Sequence, residues 1–324
     1  MKRIFLLILA VVLFAAQAAT AEQPKVTFAT GAGAMAGTLN IADSKGFFTE
    51  NHVTGKVNTY KNGKATFDAY LAGKDDFAVC SIIPIVLTDF DQAKHRIVGV
   101  LAYTDNQTKV LARKSAGVTK PSDLRGKTIA TVRATTAHYY ICKFLELNGV
   151  SCDDTTIVYL SKKELPHAIA SGRVDAICQH GMPVEKAQKA LGDDWVMFQD
   201  DTIMRKCVPM VTSTTMVTEH PAALKGVLRA TLKADGFVKT NTAESIQILA
   251  KAKHYPFPAM STTVRNEMDY DLSLRQSLLL MLEDVEKWAI ENKLVARTTP
   301  RNYLDIIASA PLKEVAPAQV TLFQ

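Results

Sequence analysis

The hydrophobic and polar positions of this chain fall into two copies of one plan. Lys25-Val-Thr-Phe-Ala is an apolar run that predicts a buried strand opening into the small-residue loop Thr30–Met35. Lys127-Thr-Ile-Ala-Thr-Val predicts a second such strand, opening into Arg133–Ala137. A helical pattern follows each, then a second strand-like run (Lys56–Tyr60 and Thr156–Leu160), a further helix and a third strand. At an offset of 99, Tyr60 matches Tyr159, Ala69 matches Ala168, Gly73 matches Gly172 and Asp76 matches Asp175. Each glycine is expected to end a helix in a left-handed conformation, with a buried strand after the aspartate. Beyond these copies the pattern turns helical. Ala222–Val238 and Thr242–Ala252 have helical spacing, and Pro256 and Pro258 break the chain. Ser273–Asn292 predicts the longest apolar stripe, with Ser273-Leu-Arg-Gln276 resembling a capping box.

Alternating strands and helices imply an α/β fold, with parallel sheets covered on both faces and one lobe per copy. Ligands in such sheets collect beyond the carboxyl ends of the strands. A cleft between the lobes would therefore be lined by Thr30–Met35, Lys61–Lys64 and Cys80–Pro84 of one lobe. Arg133–Ala137, Ser161–Lys163 and Gln179–Pro183 would line it from the other.

Composition adds bounds. A chain of 324 residues that is 48% hydrophobic has material for about two packed domains and is no disordered polymer. The net charge of +6 is scattered, which argues against nucleic acid as a partner and mildly favours an anionic ligand. Residues 1–21 carry a charged start (Lys2, Arg3), an apolar core from Ile4 to Ala16, and Ala19-Thr20-Ala21. That order predicts a cleaved secretory signal rather than a membrane anchor, and hence a soluble, exported protein. Five cysteines (Cys80, Cys142, Cys152, Cys178, Cys207) allow at most two bridges there. Cys142–Cys152 and Cys178–Cys207 are both open at this point.

Gly31-Ala-Gly33-Ala-Met-Ala36 fits a loose dinucleotide pattern, but no acid stands near the end of the second strand to hold a ribose. The reading that remains is a tight turn bringing the amides of Gly33, Ala34 and Met35 to the cleft. Asn62-Gly63-Lys64-Ala65 lacks the features of a phosphate loop, and neither G-x-S-x-G nor H-E-x-x-H occurs. No cofactor, metal or catalytic group is expected, and the chain reads as a binder rather than an enzyme. In Arg133-Ala-Thr-Thr-Ala-His138, Thr135 or Thr136 is placed to cap a helix whose free amides favour an anion, with Arg133 able to pair it. Ala137 and His138 complete that start. Cys80 and Ser81, and Gln179 and His180, end the third strands of the two copies and are candidate ligand contacts.

At these residues the sequence resembles the nitrate/sulfonate/taurine family of ABC-importer solute-binding proteins, which includes thiamine-pyrimidine-precursor binders. The marks are Lys45-Gly-Phe-Phe48, Leu71-Ala-Gly-Lys-Asp-Asp-Phe-Ala78, Ser122-Asp-Leu-Arg-Gly-Lys-Thr-Ile129, Thr135-Thr-Ala-His138 and Ala170-Ser-Gly-Arg-Val-Asp-Ala176. The resemblance implies a type II periplasmic-binding-protein fold with two crossing hinge segments, here near Leu111–Lys114 and Pro209–Thr215. Residues 22–112 would begin lobe one, 113–210 would form lobe two, and 211–324 would return to lobe one. It implies a monomer that captures a small solute and presents it to a membrane permease. Ala134 stands where the family usually has glycine. One alternative, from pyrimidine-synthesising relatives on the same fold, is an enzyme recruiting Lys64, His138 and Cys80; another is a soluble sensor that presents its ligand to a membrane receptor.

Overall fold

The computed structural model describes residues 22–104 and 108–323; the expected signal segment lies outside them. The strands are β1 Lys25–Gly31, β2 Thr54–Tyr60, β3 Phe77–Val79, β4 His95–Thr104, β5 Lys109–Ala112, β6 Thr128–Thr131, β7 Thr156–Tyr159, β8 Ala176–Gln179, β9 Val196–Phe198, β10 Lys206–Ser213, β11 Asp269–Arg275 and β12 Val320–Thr321. They form a seven-stranded sheet, β12-β11-β4-β10-β3-β1-β2, and a five-stranded sheet, β7-β6-β8-β5-β9. Both copies of the plan have one topology. β1 lies between β2 and β3, β6 lies between β7 and β8, and all four pairings are parallel.

The sheets are not parallel throughout, as alternation alone had implied. β10 runs antiparallel to β3 and β4, β11 antiparallel to β4, and β5 antiparallel to β8 and β9. The exchange of chain between the sheets explains this. β5 follows the first copy yet pairs beside the third strand of the second, and β10 returns to lie beside the third strand of the first. The change of sheet therefore comes earlier than the sequence implied. Leu111 and Ala112 already belong to β5 in the smaller sheet, and Pro209–Ser213 to β10 in the larger one.

In the smaller sheet, alternate side chains feed two cores. Val110, Ile129 and Cys178 point to one, and Leu111, Ala130 and Ile177 to the other. Helices thus cover both faces. The larger sheet buries Phe28 between Phe48 and Phe77, with ring centroids 5.3 and 5.0 Å away. Gly73 and Gly172 take the left-handed conformation expected of them, at φ 71° and 76°. The last long helix is Gln276–Glu291. Ser273–Arg275 are the end of β11, and the Ser273 hydroxyl contacts the Tyr103 hydroxyl at 3.2 Å, so no capping box forms. Pairing with β4 outcompetes helical propensity there. Among the described residues no helix is long and apolar enough to cross a membrane.

Candidate functional site

The carboxyl end of the first sheet is closed by a lysine that no sequence motif marked. Lys253 Nζ donates to Thr30 Oγ1 (3.2 Å), Gly31 O (3.2 Å) and Thr59 Oγ1 (3.4 Å), bridging the ends of β1 and β2. Burial pushes its pKa down to about 8. The following turn is partly committed to structure. Ala34 is buried and its carbonyl accepts the Tyr270 hydroxyl at 2.7 Å, while Gly33 is exposed and Met35 half-buried. Cys80 lies in the core, where burial raises its thiol pKa. Ser81 begins the helix Ile82–Leu87 in extended conformation, and its hydroxyl makes no capping bond.

In the second lobe, Thr135 is the N-cap of the helix Thr136–Leu147, but its hydroxyl turns back to Val132 O (2.7 Å). No side chain caps the first-turn amides, which leaves donors and the positive dipole end available. Ala134 holds φ 59°, a conformation that suits glycine and costs an alanine about 1 kcal/mol. The exposed Arg133 lies over the Tyr159 ring at 5.7 Å. Thr136 and Ala137 are buried, and Ala137 O accepts the Cys178 thiol at 3.3 Å.

His138 is occupied within the protein. The Ala134 N–H approaches Nδ1 at 3.4 Å, so Nε2 carries the proton facing the Tyr159 hydroxyl at 3.0 Å. Its ring meets Trp288 of the C-terminal helix edge-on at 5.1 Å. Tyr139 also packs on Trp288 (5.5 Å) and its hydroxyl donates to Asp284, while Lys143 lies 3.7 Å from Asp284. The helix Thr136–Leu147 therefore touches the other lobe.

The remaining strand ends carry the most informative chemistry. Gln179 is fully buried; its Oε1 accepts the His180 N–H (3.1 Å), while its Nε2 is buried without a protein partner. His180 Nδ1 is likewise buried and unpartnered. Gly181, at φ 66°, makes the turn after it. Burial, then Lys206 and Lys162, hold the His180 pKa well below its usual value. Lys206 starts β10 in the first lobe's sheet, and burial followed by Lys162 lowers its pKa to about 8, against the opposing pull of Glu267. Burial likewise lowers that of Lys162. Lys162 and Lys206, from different lobes, thus both act electrostatically on the buried His180, which follows the unpaired amide of Gln179. Sequence reading named Gln179 and His180 but missed Lys206 and Lys253, which lie at no strand-to-loop signature. Lys162 fell only inside a loop range.

The residues of the enzyme alternative each have partners of their own. Lys64 is exposed and pairs Asp68 (2.6 Å), Cys80 is in the first lobe's core, and His138 faces Tyr159 and Trp288. Among the described residues, no group of three His, Cys, Asp or Glu could hold a metal.

Comparison with known proteins agrees with this architecture. A protein of Brucella abortus (strain 2308), named as a binding protein, is 24% identical over 238 residues, 70% of each chain. The periplasmic aliphatic sulphonate binding protein SsuA from Escherichia coli superposes with a TM-score of 0.73 at 18% identity, over 88% of this chain and 92% of that one. The desulfurization enzyme DSZB superposes at 0.64 and 13% identity, over 91% and 99%. The shared fold is two α/β lobes of the periplasmic-binding type. The NMT1/THI5 like family profile matches residues 36–245, which bears out the resemblance seen in the sequence: the chain belongs to the NMT1/THI5 like family.

Proposed function

We propose that the protein is a monomeric solute-binding component of an ABC importer, exported to the periplasm. It takes a small anion of sulfonate, nitrate or taurine type between its lobes and hands it to a membrane permease. One observation carries this reading: at the mouth of the second lobe the Gln179 Nε2 and the His180 Nδ1 are buried without a partner, and Lys162 and Lys206, from different lobes, both act electrostatically on that histidine. An anion there satisfies the orphaned amide donor in a positive field. Because its partners lie on both lobes, it stabilises their approach through contacts made only when they are together. The uncapped amides at Thr136 and the Arg133 guanidinium offer a further anchor. Catalysis has less support, since burial disfavours a thiolate at Cys80 and Lys64 is paired with Asp68.

A thermal-shift screen against sulfonates, nitrate, carboxylates, phosphonates and amines tests the reading, because a ligand of the native state raises Tm. Anions are expected to stabilise the protein, and calorimetry on Lys206→Gln and on Arg133→Ala with Thr136→Ala should show several-fold weaker binding. Stabilisation by amines alone, or unchanged affinity in both variants, would overturn it.

A further inference from the structure

Cys142 and Cys152 stand apart from the other cysteines. Cys80 and Cys207 are sealed in the first lobe's core, and Cys178 is in the second's with its thiol on Ala137 O. Cys178 and Cys207 thus belong to different lobes, which removes that pairing. Cys142 and Cys152 are only half-buried, and their sulfurs lie 2.9 Å apart. Local folding brings them together. The helix Thr136–Leu147 ends at Asn148, Gly149 reverses the chain at φ 71°, and Cys152 opens the short turn Cys152–Asp154. That separation is closer than non-bonded sulfurs pack, and a small approach reaches the covalent distance of about 2.05 Å.

We propose that Cys142 and Cys152 are a disulfide site, joined as an intrachain cystine that pins the end of this helix to the turn after it. Cys142 sulfur, as thiolate, attacks a disulfide donor (an oxidised dithiol protein or a low-molecular-weight disulfide). This gives a mixed disulfide and expels one donor thiolate. Cys152 sulfur, having lost its proton to solvent, then attacks Cys142 sulfur and expels the second. The cysteine pair gives up two electrons and two protons, and the donor is reduced to its dithiol. The surroundings assign the first attack to Cys142. Donation from the Cys152 thiol, opposed by burial and helped by His138 and then Trp288, holds the Cys142 pKa below its usual value. The Cys152 pKa is raised by the same pairing and by burial. Because His138 on the same helix packs on Trp288 of the other lobe, the bridge braces a surface on which the lobes meet. The inference adds a covalent site to the solute-binding reading, and the geometry that carries it is independent of what the protein binds.

The purified protein, equilibrated in glutathione buffers of varied redox ratio, is denatured with an excess of thiol-alkylating reagent and mapped by mass spectrometry. The expected result under oxidising buffer is labelling of Cys80, Cys178 and Cys207 only. A single linked peptide should join Cys142 to Cys152, and Tm should fall on reduction. Labelling of all five cysteines at every redox ratio, or a cystine using any other pair, would overturn the proposal. Wild-type protein suffices, so the result does not depend on a variant that folds. A failed ligand screen leaves this readout unaffected.

Discussion

The carboxylate of Asp175 accepts the backbone N–H of Thr128 at 3.0 Å, tying the start of β8 to that of β6. Asp76 does the same for Thr27 at 2.8 Å at the start of β3 and β1. The repeat in the sequence is therefore a repeated clasp between the first and third strands of each lobe. Asp175 has a second partner, Arg113, at 3.0 Å, with both side chains largely buried. Asp175→Ala takes the Thr128 amide's carboxylate acceptor away and removes the ion pair of Arg113, whose guanidinium keeps Val174 O and Ser115 Oγ, and is expected to cost about 2 kcal/mol in urea unfolding. The exposed Asp76→Ala should cost about 1 kcal/mol. Equal, small losses would show that the clasps do not hold the strands.

Anion affinity should depend on pH through Lys206. A bound anion favours the protonated lysine, whose pKa in the free protein is about 8. Affinity is then flat below that value and falls by up to about tenfold per pH unit above it. The facing groups are Lys162, His180 and Glu267. His180 is neutral throughout this range because burial and the lysines keep its pKa well below normal. Calorimetry between pH 6.5 and 9 checks the slope, and Lys206→Gln should flatten it. A slope that survives in the variant would assign it to another group, such as Lys253.

Trp288 should report solute binding. It lies against His138 and Tyr139 of the other lobe, whereas the second tryptophan, Trp195, packs within the second lobe alone. Intrinsic fluorescence is expected to change on ligand addition in the wild type but not in Trp288→Phe. Tyr139→Phe removes the hydroxyl donated to Asp284 and should weaken binding by about two- to tenfold. Persistence of the signal in Trp288→Phe would show that this contact does not sense the ligand.

Asp235 makes stability fall as pH rises through neutrality. Its Oδ2 accepts Leu272 N–H at 2.7 Å, and its Oδ1 is buried without a partner. Burial raises its pKa to about 7, with the Leu272 bond and Lys239 opposing and Asp271 and Asp269 assisting. A raised carboxyl favours the folded state fully below about pH 4, and this contribution is lost as pH rises through about 7. Asp235→Asn keeps an acceptor for Leu272 and removes the charge. It should stabilise the protein by about 2–4 kcal/mol at pH 8 and by much less at pH 4, as read from urea unfolding at both values. An equal effect at the two pH values would exclude this titration.

The sequence by itself determined the local elements and their repetition, because alternating apolar positions, left-handed glycines and acid-capped strands are encoded within a few residues of where they act. Thr242–Ala252 and the parallel triplets around β1 and β6 follow from such signals. So did the strand ends at Ser81, Gln179 and His180, since polar residues after a buried strand mark its mouth. Only tertiary structure decided which strands exchange between the lobes, and hence that Ser273–Arg275 extend β11 instead of starting a helix. It alone brought Lys206 and Lys162, distant in sequence, within electrostatic reach of His180, and set Trp288 against His138. Pairing with a partner strand and desolvation by a second lobe depend on residues remote along the chain, and no local pattern records them.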